Sequence, residues 1–150
     1  ALVTSINNLD SVKAQVKYQT IGPDKLNQLR HVLFFKDING LKDQMKKHAE
    51  ILRPKFEYIN KRFSEELVGL AKWTNPLGGY FVTVEVPGRA KQVVEKAKEL
   101  GLSLVEVGSA FPYHKDPNNS VIRLAPTCMK QKELELATEI FILSVKLCSK

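Results

Sequence analysis

The stretch Tyr80-Phe81-Val82-Thr83-Val84-Glu85-Val86-Pro87-Gly88 alternates apolar and polar side chains, favours β-branched residues and closes on a Pro-Gly pair. Successive strand side chains point to opposite faces, so this pattern predicts a half-buried strand that ends in a turn. Directly after it, Ala90, Val93, Val94, Ala97 and Leu100 recur at helical spacing and mark one face, with Gly101 where a left-handed C-cap is wanted. Residues 102–107 read as a second strand. After a polar loop, Ser120-Val121-Ile122-Arg123-Leu124 reads as a third, and Leu134, Ala137, Phe141, Val145 and Cys148 mark a final helix. Strand, helix, strand, strand, helix is an α+β order. It predicts a small antiparallel-rich sheet with helices packed on one face.

Toward the N-terminus, Leu41, Met45, Ala49, Leu52, Phe56 and Ile59 recur at three and four residues, with lysines and glutamates on the other face. This is a long amphipathic helix. Pro54 lies inside it, where it removes an N–H and presses its ring on the carbonyl of Glu50, so a kink or break is expected there. Residues 73–76 read as a connector. Thr20-Ile21-Gly22-Pro23-Asp24 is a turn by chemistry, with a helix starting behind its proline. Before it, Asn8 is a candidate N-cap for a short helix that buries Leu9, Val12 and Val16 and stops near Gln19, and Leu2 and Val3 read as the tail of a strand.

The 150 residues, 43% apolar and 26% charged, suffice for one domain with its own core. No apolar run approaches the roughly 20 residues needed to span a bilayer, so no membrane partner is expected. Cys128 and Cys148 form no CxxC pair and have no clustered histidine, which argues against a disulfide framework and a zinc site and points to a reducing cytoplasm. The net charge of +7 admits a polyanion partner. Yet Lys46, Lys47, Arg53, Lys55, Lys61 and Arg62 are interrupted by Glu50, Glu57, Glu65 and Glu66, the pattern of a solvated helix face, so no specific nucleic acid is expected.

Few residues carry chemistry. GxSxG and HExxH are absent, the glycines before Tyr80 open no phosphate-binding helix, and the three histidines are scattered. Arg123 sits between Ile122 and Leu124, so alternation turns its guanidinium away from them. It is either a solvated strand residue or a fork of donors matched to a carboxylate or phosphate.

Taken together, Trp73-Thr74-Asn75-Pro76-Leu77-Gly78-Gly79-Tyr80-Phe81, Gly108-Ser109-Ala110-Phe111-Pro112-Tyr113-His114-Lys115-Asp116-Pro117, Val121 to Pro126 and Glu133-Leu134-Glu135 resemble the aspartate aminotransferase superfamily of pyridoxal-phosphate enzymes. The stretch from Gln19 to Phe35 also resembles its bacterial MocR-like branch. The resemblance implies a C-terminal small domain over residues 36–150, preceded in 1–35 by the end of a large domain and an interdomain or dimer segment. It implies transamination between an amino acid and a 2-oxo acid, with aspartate a possible donor, in a homodimer.

By resemblance, Arg123 falls where the family clamps the substrate α-carboxylate, Tyr80 lines the substrate pocket, and the segment with Tyr18, Thr20 and Gly22 reaches toward the neighbouring active site. The family's Schiff-base lysine lies upstream of a strand resembling residues 1–5, and no lysine here precedes Lys13. The chain is therefore expected to be a fragment with no catalytic residue of its own, inactive alone, with pyridoxal phosphate held mainly by residues upstream. A basic α+β binding module for nucleic acid or an acidic protein is the alternative.

Overall fold

The computed structural model describes residues 3–149. Five helices run in chain order: α1 (Leu9–Gln19), α2 (Lys25–Phe35), α3 (Ile38–Glu66), α4 (Ala90–Glu99) and α5 (Gln131–Leu147). Three strands, β1 (Lys72–Trp73), β2 (Val82–Glu85) and β3 (Val121–Leu124), form one antiparallel sheet in the order β1-β2-β3. The α+β class and the small antiparallel sheet expected from the sequence are present. The chain divides into two compact units, Ala1–Lys47 and His48–Lys150.

The second unit carries the core. Val82 and Val84 of β2 face Leu124 and Ile122 of β3 across the ladder, and all but Leu124 are fully buried. Phe63 of α3, Val93 of α4 and Phe141 of α5 join them in one cluster, which sets these helices on one face of the sheet. Phe63 meets Trp73 edge-on at 5.7 Å and Phe141 at 5.6 Å, and the Trp73 indole N–H donates to Asn60 Oδ1 at 2.8 Å. That hydrogen bond lets a large amphipathic ring sit at the core edge without an orphaned donor.

Helix α3 runs unbroken through Pro54, so the break admitted by the sequence does not occur. Packing after the proline holds it. Ile59 and Phe63 are buried, and Lys55 Nζ donates to the carbonyls of Thr127 (2.6 Å) and Met129 (2.7 Å). Residues 102–107 form no strand. Gly101 takes a φ of +92° past the end of α4 and the Leu102 N–H turns back to Ala97 O, so the segment leaves the helix with Leu102 buried but no ladder partner among the described residues. The supposed connector at 73–76 begins with the strand residue Trp73, and Thr74 N–H continues the pairing to Thr83 O.

In the first unit, α1 begins behind a 3-10 turn at Ile6–Asn8 and ends at Gln19 as expected. Asn8 stands at its cap, but its side chain makes no capping bond, and Leu9, Val12 and Val16 are not buried. Helix α2 is capped by Asp24, whose carboxylate accepts from Asn27 N–H at 3.0 Å. It too buries no residue, and Leu26, Leu29, Val32, Leu33 and Phe34 are all more than half exposed. The strand tail suggested for residues 2 and 3 is absent at Val3, while Leu2 lies outside the described residues.

Candidate functional site

Register alone decides which residues share the outer face of the sheet. Because Val82 and Val84 point into the core, Thr83 points out, and it pairs directly with Arg123. Residue 81, two positions before Thr83, falls on the same face and diagonal to Arg123, within reach for an aromatic and a long side chain. The Arg123 guanidinium carbon lies 4.5 Å from the centre of the Phe81 ring. The Arg123 Nε is enclosed, and no acceptor takes its N–H. Among the described residues no carboxylate forms an ion pair with Arg123.

Tyr80, next to Phe81, is 59% exposed at the end of the turn that leads into β2, where Gly79 adopts a left-handed φ of +86°. The structure thus brings Arg123 and Phe81 together, with Tyr80 beside them in sequence. Sequence reasoning singled out Arg123 and Tyr80 but gave Phe81 no role of its own. Its signal was the alternation in 80–86 combined with the pairing of β2 and β3.

The start of β3 is locked by Asp116. Its Oδ1 accepts from Asn118 N–H at 3.0 Å, and its Oδ2 from Ser120 N–H at 2.7 Å and Val121 N–H at 2.8 Å. Partial burial pushes this carboxyl up, but the backbone donors, Val121 first, outweigh it and hold the group below its ordinary value. Asn119 joins the same turn to the head of α4, accepting from Lys91 N–H at 2.9 Å and donating to Gly88 O at 2.9 Å. The preceding loop depends on Gly108. It has a φ of +93°, and a Cβ there would stand 2.2 Å from the His114 carbonyl oxygen, so no larger residue fits without moving the chain.

In the first unit, Tyr18 is 87% exposed near the end of α1. The Thr20 hydroxyl donates to Gly22 O at 2.6 Å and accepts from Gly22 N–H at 3.2 Å, so the turn after α1 is closed by its own side chain.

A few other cations are engaged within the fold. Arg62 gives Nε and Nη2 to Glu139 at 2.7 and 3.0 Å and Nη1 to Glu65 at 2.6 Å, while Lys146 pairs with Glu66 and Lys96 with Glu99. No described lysine is buried, so none offers the desolvated amine that a Schiff base to an aldehyde cofactor requires. The described residues thus offer a guanidinium free of internal acids and no lysine suited to the attachment of such a cofactor. An apolar cavity of about 50 Å³ among Phe63, Leu104, Leu124, Met129 and Phe141 lies on the core side, and Arg123 does not line it. Among the described residues no helix is long and apolar enough to cross a membrane, and no cluster of His, Cys, Asp or Glu could hold a metal ion.

Three comparisons bear on this geometry. The aspartate aminotransferase of Corynebacterium glutamicum is 42% identical over 142 residues, covering 91% of this chain and 32% of its own length. The solved structure of an aspartate transaminase from the same organism superposes with a TM-score of 0.85 at 39% identity, over 98% of this chain and 35% of that one. An α-aminoadipate aminotransferase from Thermus thermophilus, solved with N-(5'-phosphopyridoxyl)-L-leucine, shares the fold at a TM-score of 0.74 and 18% identity, over 97% of this chain and 37% of its own. The chain thus spans about a third of the length of these relatives. The sequence profile of the family described as aspartate amino-transferase matches residues 1–150, end to end, and the chain belongs to that family.

Proposed function

We propose that this chain is the C-terminal part of a pyridoxal-phosphate-dependent aminotransferase of the MocR-like branch, and that Arg123 receives the substrate α-carboxylate. Residues 36–150 form the small domain, and residues 1–35 close the large domain and lead into a dimer segment. The observation that carries this reading is the state of Arg123. Its guanidinium stands on the outer sheet face with an enclosed Nε and, among the described residues, no carboxylate partner, in a chain that the family profile matches throughout. The orphaned Nε marks a guanidinium that no described acid satisfies, and a carboxylate ligand would take the remaining Nη1 and Nη2 donors of the fork.

The cofactor, held mainly by parts of the enzyme upstream of this chain, supplies the electron sink for chemistry at the amino acid's α-carbon. What this chain contributes is orientation. With Nε shut in, the Nη1 and Nη2 edge is left to hold both oxygens of an α-carboxylate in its plane, while Tyr80 borders the pocket. Such placement turns binding energy into a favourable geometry at the reacting carbon.

The enzyme works as a homodimer in the cytoplasm on amino-acid and 2-oxo-acid substrates, with the turn carrying Tyr18, Thr20 and Gly22 reaching toward the neighbouring site. The apolar surface that α2 leaves exposed and the two free cysteines support this assembly and compartment. The isolated chain is inactive. Steady-state transamination by the full-length enzyme tests the assignment: Arg123→Ala should cost about 2–5 kcal/mol in kcat/KM, as truncated charge pairs do, and equally for every amino donor. Near-normal kcat/KM would show Arg123 to be an ordinary strand residue.

A further inference from the structure

We infer that Phe81 is the positioning residue for Arg123, holding the guanidinium plane so that its free edge faces the substrate carboxylate with its charge undiminished; this rests on the reading of Arg123 as the carboxylate fork. The pairing of Thr83 with Arg123 puts residue 81 diagonally across the outer face, and the ring meets the guanidinium at 4.5 Å. A cation over an aromatic face is attracted by the ring's quadrupole. That attraction requires no hydrogen-bond acceptor, so it leaves the N–H donors of Arg123 without a competing acid.

The alternative way to fix an arginine is shown by Arg62, whose N–H groups are taken by Glu65 and Glu139. An acid of that kind beside Arg123 would occupy the edge that the substrate needs and cancel the charge that attracts it. An aromatic ring avoids both costs. Phe81 is 43% exposed and stands outside the buried core cluster, so its removal leaves the packing of Val82, Val84 and Ile122 intact.

The test uses the full-length holoenzyme with L-aspartate as donor and 2-oxoglutarate as acceptor, and compares Phe81→Leu, Phe81→Tyr and Arg123→Ala. Phe81→Leu should lower kcat/KM roughly 3- to 30-fold, the range of a partly desolvated cation–π contact, mainly through KM and with an unchanged melting temperature. Phe81→Tyr keeps the ring face and should stay within about twofold of wild type by the same criterion. If Phe81→Leu does not fold, Phe81→Met, unbranched and similar in volume, is judged by the same outcomes. Equal losses in the Leu and Tyr variants would overturn the inference in favour of simple packing. So would an unchanged KM in Phe81→Leu while Arg123→Ala is impaired, an outcome that leaves the arginine assignment standing. A near-normal Arg123→Ala would remove that assignment itself.

Discussion

Two arginines in the second unit are treated in opposite ways. Arg62, on α3, spends its donors inside the protein on Glu139 and Glu65, and Glu66 lies 3.4 Å from its Nη1. Arg123, on β3, faces a phenylalanine ring and, among the described residues, pairs with no carboxylate. The first region ties α3 to α5 across the surface. The second keeps a cation in place without consuming its hydrogen-bonding edge, which is the condition for meeting something from outside. Arg62 has its donors taken inside the protein, whereas Arg123 keeps donors that a planar acceptor from outside could meet.

The widest way to break this contrast is Arg123→Lys. A lysine keeps the charge but offers a point donor in place of a planar fork, so kcat/KM should fall by about 1–3 kcal/mol, the cost of an unmade charge-assisted bond, while the melting temperature stays put. A kcat/KM close to wild type would mean that charge alone matters at this position.

A smaller effect is expected at Asp116, which anchors the turn ahead of Arg123. Its carboxyl is held below its ordinary value, so its contribution is present above the unfolded-state pKa of about 4 and is lost as pH falls through the lower folded value. Asp116→Asn should therefore be less stable than wild type at neutral pH, and the gap should narrow on acidification. Denaturant melts across the acid range would show this, and a gap that is constant with pH would mean that the carboxylate's charge plays no part. The smallest effect belongs to Arg62→Ala. Its network lies at the surface and is partly open to solvent, and surface ion pairs are weak and screened. The variant should lose little thermal stability, less still in high salt, with KM unchanged; a raised KM would erase the distinction between the two arginines.

How much of this the sequence disclosed follows from range. The pattern in 80–86 and 120–124 was enough for two strands and for the outward side chain of Arg123, because strand alternation is local. The extent of α4 and α5 followed from their apolar spacing. Burial in α1 did not follow, since Leu9, Val12 and Val16 keep helical spacing whether or not anything covers them. The segment 102–107 has strand composition, but pairing needs a neighbour that composition does not announce. Trp73 reads as part of a loop until Val84 is seen beside it. Phe81 was hidden for the same reason: its relation to Arg123 exists only once β2 and β3 are in register.

The enclosure of the Arg123 Nε also bears on handedness. A carboxylate gripped end-on through its two oxygens is fixed in plane and direction, yet the bond from that carboxylate to the α-carbon can still turn. Neither mirror form of an amino acid is favoured by such a grip. Arg123 and Phe81 would then set where the α-carbon stands, and the choice between its two hands would fall to whatever part of the enzyme receives the amino group.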